Sequence, residues 1–105
     1  MTIQFNTDNN VHGTEEFIAL YIVQIESVLS RFSEHITRLE VHLSDENGPK
    51  NGMNTKRCLL EARLEHRQPI AVSNQADTLD QAMDGALVKL TATLDTIMGK
   101  LNNHK

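Results

Sequence analysis

The side chains best equipped for chemistry are one cysteine, Cys58, and five histidines, His12, His35, His42, His66 and His104. A thiolate beside an imidazole is a nucleophile with its base, so Cys58 with His42 or His66 is the first pairing to weigh. The stretch Lys56–His66 alternates as a strand does, with Cys58, Leu60, Ala62 and Leu64 inward and Arg57, Glu61, Arg63 and Glu65 outward. His42 alternates outward on its own strand and His66 stands at the far end of this one, so a buried, inert thiol is expected. The histidines fall in separate elements without ligand spacing, so no metal site is expected. Asp80 and Asp84 lie four apart near a helix start, where the helix dipole accounts for carboxylates better than acid–base work does. Gly48, Gly52, Gly85 and Gly99 lack the spacing of a phosphate-cradling loop. The chain reads as a non-enzyme without cofactor or small-molecule substrate.

Charge is the next source of function. The 105 residues carry 10 Lys+Arg against 14 Asp+Glu, a formal net charge of −4, which is unfavourable for a polyanion partner. The distribution is uneven. Residues 1–30 have no Lys or Arg against Asp8, Glu15, Glu16 and Glu26, whereas residues 50–67 hold Lys50, Lys56, Arg57, Arg63 and Arg67 against Glu61 and Glu65. Positive surface is therefore expected from the middle of the chain.

The elements that position these residues follow from periodicity. Thr2–Asn6 alternates as a short strand, and Thr14 caps a helix that should run to about Phe32, with Ile18, Tyr21, Ile22, Ile25, Val28, Leu29 and Phe32 as its buried stripe. Leu20 and Val23 fall on the opposite side of that wheel. Ile36–Leu43 is a strand with Leu39, Val41 and Leu43 on one face and Arg38, Glu40 and His42 on the other. Ser44–Thr55 is a loop, and after the turn Arg67–Pro69 a short strand spans Ile70–Asn74.

Asp77–Leu101 is the longest helical pattern, with Asp77 as its expected N-cap. Leu79, Ala86, Leu87, Leu90, Leu94, Ile97, Met98 and Leu101 lie within roughly 60° of Met83 on its wheel. Lys89, Thr93, Thr96 and Lys100 line one flank of that stripe, and Asp77, Asp84 and Asp95 the other. The order β-α-β-β-β-α predicts an α+β fold in two layers, a four-stranded mixed sheet with both helices on one face. The opposite face should be solvated, its charges paired across strands. One domain over 1–105 is expected, with a polar tail at 102–105. The single cysteine excludes an internal disulfide, the N-terminus lacks the pattern of a secretory signal, and no apolar run is long enough for a bilayer. A cytoplasmic location without membrane contact is expected.

Three stretches carry a resemblance: HITRLEVHLSDENG at His35–Gly48, RCLLEARLEHRQPIAV at Arg57–Val72, and ADTLDQAMDGALVKL at Ala76–Leu90. Together with the element order, they are similar to the ribosome hibernation-promoting factor family, also called ribosome-associated inhibitor or sigma-54 modulation proteins. The resemblance implies a double-stranded-RNA-binding-like fold that docks on the small ribosomal subunit and its rRNA. There, in the channel between head and body, such proteins block initiation during starvation or stationary phase. It further implies a short form without a C-terminal dimerisation domain, acting by steric occlusion with no cofactor.

Lys89 matches the family's basic positions best, with Lys100 beyond it. Lys56, Arg57, Arg63 and Arg67 join them from this chain's own charge distribution, with Arg31 and Arg38 completing the set. The chain departs from the family pattern in a first helix without Lys or Arg before Arg31, in Ala92 where an arginine is common, and in Ile97 and Met98 where another basic stretch would stand. An alternative is the same fold with a protein-binding or self-associating role, through Leu20 and Val23 or as a weak homodimer of the exposed sheet.

Overall fold

The computed structural model describes residues 1–46 and 55–102, with side chains as far as residue 99. The interior of the Ser44–Thr55 loop, the tail beyond residue 102 and the side chains of Lys100 and Leu101 lie outside the described residues. The elements are β1 (Thr2–Thr7), α1 (Glu15–Val28), β2 (Ile36–Asp45), β3 (Lys56–Leu64), β4 (Ile70–Ala76) and α2 (Leu79–Asn102). The sheet runs β1-β2-β3-β4, with β1 parallel to β2 and the other pairs antiparallel. A parallel pair needs a crossover, and α1 supplies it. This is the expected α+β architecture.

Both helices cover one sheet face. Leu39, Val41, Leu43, Cys58, Leu60, Ala62 and Leu64 from the strands share one buried cluster with Ile25 and Leu29 of the first helical segment and Met83, Ala86, Leu90 and Leu94 of α2. Tyr21 stacks on Phe5 at 6.1 Å between ring centroids, which fixes α1 over β1. Ile36 and Leu39 are both buried although three residues apart, an odd spacing on a strand. A register shift between Ile36 and Arg38 allows it, since a bulge turns the strand by one extra residue.

Local details correct the sequence reading. The first helix stops at Val28 and not at Phe32. Leu29 leaves helical geometry at φ −98°, ψ 12°, and a 3-10 turn over Ser30–Phe32 follows. The tightening still delivers both Leu29 and Phe32 to the core. Val28, expected in the buried stripe, is 39% exposed on the flank of α1. Thr14 caps α1 as expected, accepting from the Phe17 amide at 3.2 Å. The cap of α2 is Thr78, not Asp77: Thr78 Oγ1 accepts from the Gln81 amide at 3.1 Å, the third residue of the helix. Strand β3 ends at Leu64, because His66 takes a left-handed φ of 61° in the turn.

One close approach sets the seat of α2 on the sheet. The Asn74 amide nitrogen lies 3.3 Å from the Gln81 carbonyl and 3.5 Å from that of Ala82. A Cβ at Gly85 would sit 2.0 Å from that nitrogen. Glycine at this turn of α2 leaves the space Asn74 fills.

Candidate nucleic-acid interface

The outer sheet face is built from alternate residues of the two central strands. Arg38 lies directly opposite Arg63, and Glu40 directly opposite Glu61. Like charges facing across strands repel. Arg63 relieves both rows, with Nη2 3.8 Å from Glu40 Oε2 and Nε 3.8 Å from Glu61 Oε1. These are partly exposed ion pairs at a separation too long for hydrogen bonds, each contributing some tenths of a kcal/mol. Of the cross-strand pairs expected on this face, Arg63–Glu40 is present, while Arg63–Glu61 runs along β3 and Arg38 has no ion pair among the described residues.

The other cations are engaged locally. Lys56 Nζ donates to Asp45 Oδ2 at 2.8 Å, and the two residues are register partners that close the β2–β3 hairpin. Asp45 is buried, so Lys56 neutralises an interior carboxylate. Arg57 Nε stands 3.9 Å from Glu46 Oε1. Arg31 grips Asp95 with Nη1 at 2.6 Å and Nη2 at 2.9 Å, and its guanidinium lies 4.4 Å from the centroid of the Phe32 ring. Lys89 Nζ donates to the Ser73 carbonyl of the edge strand β4 at 2.8 Å. Two arginines remain without an ion pair among the described residues. Arg38 has a buried Nε with no hydrogen-bond partner, and Arg67 stands exposed in the β3–β4 turn.

Geometry splits the basic segment. Lys56 and Arg63 are seven residues apart on one strand, about 23 Å at the usual rise. Arg38, Arg63 and Arg67 gather at one end of the sheet, while Lys56 and Arg57 lie at the other. Arg31 and Lys89 belong to the helical layer, on opposite flanks of α2. The described cations form a patchwork and not one stripe.

The nucleophile reading fails on position. Cys58 is fully buried, burial pushes its thiol up to about 12, and Sγ lies 3.9 Å from Met83 Sδ. His42 sits on the outer face and His66 in the exposed turn. No cluster of three or more His, Cys, Asp or Glu suited to a metal occurs among the described residues.

Sequence reasoning passed over the seam between the helices. Tyr21 Oη donates to Asp80, and Gln24 Nε2 to Asp84 Oδ1 at 2.5 Å. With Arg31–Asp95 these contacts step along α1 and α2 in the same direction, so the helices run parallel. The acidic flank of α2 was the signal. Its members recur at one helical face and needed a donor-bearing neighbour.

A four-stranded mixed sheet under two parallel helices, with mixed charge on its open face, defines a small βαβββα domain. The family model described as sigma 54 modulation protein / S30EA ribosomal protein matches residues 6–102, and the chain belongs to that family. Among solved structures, the Protein Y N-terminal domain of Thermus thermophilus is similar with a TM-score of 0.71 at 20% identity, covering 92% of this chain and 99% of that one. A ribosomal subunit interface protein from Coxiella burnetii gives a TM-score of 0.71 at 18% identity, covering 94% and 99%. No curated protein matches by sequence. No helix among the described residues is long and apolar enough to cross a membrane.

Proposed function

We propose that this protein associates with the ribosome, binding the small subunit and its rRNA in the intersubunit channel and blocking translation sterically under stress or in stationary phase. The observation that carries the reading is the family match over residues 6–102. The fold likeness to a subunit interface protein supports it. The work asked of the chain is occupancy and not turnover, in keeping with a buried, unreactive Cys58.

The contact end of the sheet would be that of Arg38, Arg63 and Arg67. Arg38 and Arg67 keep their charge free of carboxylates, while Arg63 beside them stays with Glu40 and Glu61 at 3.8 Å. Lys56, Arg57, Arg31, Lys89 and Lys100 are secondary contributors. The test is co-sedimentation with purified small subunits at low and moderate salt. Pelleting with the subunit, and loss of initiation in a reconstituted translation assay, is the expected result. Absence from ribosomal fractions at every salt concentration would overturn the reading.

A further inference from the structure

The helical layer presents a groove of about 570 Å³ between α1 and α2, lined by Phe17, Leu20, Tyr21, Gln24, Asp80 and Asp84. Its floor is aromatic: Phe17 meets Tyr21 edge to face at 4.8 Å. Its rim is apolar and open. Leu20 lines it and is 75% exposed; on the same helical layer, outside the lining, Val23 lies one turn along α1 at 66% and Val88 one turn beyond Asp84 on α2 at 67%. Three large aliphatic side chains left in water on one layer of so small a domain mark a contact surface.

Charge selects the occupant. The titratable groups lining the groove are Asp80, Asp84 and the Tyr21 phenol, whose ionisation is pushed up by burial and by the hydrogen bond to Asp80. No cation lines it. Helix α1 carries Glu15, Glu16 and Glu26 and no Lys or Arg, and the first cation beyond its end, Arg31, is held by Asp95. Lys89 of α2 is turned to the Ser73 carbonyl on β4. Phosphates are repelled from such a field. A second copy using the same face would bring two Asp80–Asp84 pairs into one apolar contact, where like charges cost most. A cationic polypeptide meets both demands, its aliphatic side chain filling the groove and its ammonium or guanidinium groups reaching the carboxylates.

We propose that the groove between α1 and α2 is a docking site for a basic polypeptide segment bearing an aliphatic anchor side chain. The site lies on the helical layer, away from the outer sheet face, and stands whether or not the ribosome reading does. Peptide binding and ribosome co-sedimentation are separate readouts.

The experiment titrates the protein into a fluorescein-labelled 14-residue peptide of lysine and leucine at helical spacing. An all-lysine peptide and a 16-base-pair RNA duplex serve as comparison probes. The lysine–leucine peptide should bind at least tenfold more tightly than the all-lysine peptide. Leu20→Ser with Val23→Ser, and separately Asp84→Asn, should each weaken it at least tenfold. These positions are exposed, so thermal midpoints should stay near that of the parent. Glu65→Gln, on the turn beyond β3, should leave the affinity unchanged. An equal loss with Glu65→Gln, no loss with the groove variants, or tighter binding of the duplex than of the peptide would overturn the proposal. So would a dimer in sedimentation that Leu20→Ser dissolves, since the face would then belong to a second copy.

Discussion

The salt dependence of ribosome binding follows from how each cation is engaged. Of the seven described basic candidates, Arg31, Lys56, Arg57 and Arg63 are paired with carboxylates, which leaves Arg38, Arg67 and Lys89, the last bonded to a neutral carbonyl. Each neutralised phosphate contributes about −0.9 to the slope of log affinity against log salt on the duplex DNA scale. Three such cations give a slope of about −2.7, and raising salt from 50 to 200 mM should weaken binding about 40-fold. Were all seven available, the slope would be about −6.3 and the loss about 6,000-fold. Pelleting with purified small subunits across that range distinguishes the two. Arg67→Ala should flatten the slope by about 1, whereas Lys56→Ala should leave it unchanged and lower stability instead. A parent slope steeper than about −5 would show that the ion pairs open on binding, and would refute the assignment of free and engaged cations.

Other outcomes concern the fold that holds the site. Gly85→Ala, worth about 1 kcal/mol of stabilisation in an open helix, should instead destabilise by about 1 kcal/mol or more, because its Cβ meets Asn74. In an Asn74→Ala background the same change should stabilise, and chemical denaturation of the four-member cycle reads the coupling. Thr78→Ala should cost about 1 kcal/mol in the same assay, and Asp77→Ala less, which distinguishes the cap from its neighbour. Leu94→Ala, at a fully buried position of the α2 apolar stripe, should cost about 2–5 kcal/mol. Cys58 should resist a thiol reagent at pH 8 until the chain unfolds. Its thiol rises from an ordinary 9.0 to about 12 on folding, so between those values the unfolded chain has lost a proton the folded one keeps. Stability should therefore fall as pH climbs from 9 toward 12, and Cys58→Ser should remove that part of the slope.

Period and parity in the sequence carried the strands and helices because each element has one apolar face. Leu39, Val41 and Leu43 or Cys58, Leu60 and Ala62 admit a single orientation against the helices. What stayed hidden depends on partners distant in sequence. The choice of Thr78 over Asp77 as cap turns on one hydroxyl reaching the Gln81 amide, and both residues are good caps on type alone. Val28 fits the α1 wheel, yet it is 39% exposed at the last turn of the helix. The charges were legible as an inventory but not as a surface. Arg31 reads as a lone cation in the sequence, and only the parallel course of α1 and α2 brings Asp95 to it, 64 residues along the chain. Lys56 likewise reads as part of a basic run, and its work is to neutralise buried Asp45.

Lys89, the residue most like a family RNA contact, caps a main-chain acceptor of an edge strand. Exposed strand edges template pairing with other chains, and a lysine laid across one is a common guard against it. The ammonium carries three donors, so it can stay on the Ser73 carbonyl while its charge, which that carbonyl does not compensate, meets a phosphate. For this protein, hold on a polyanion and resistance to edge-to-edge polymerisation draw on a single side chain, and a modification that neutralises Lys89 would loosen both together.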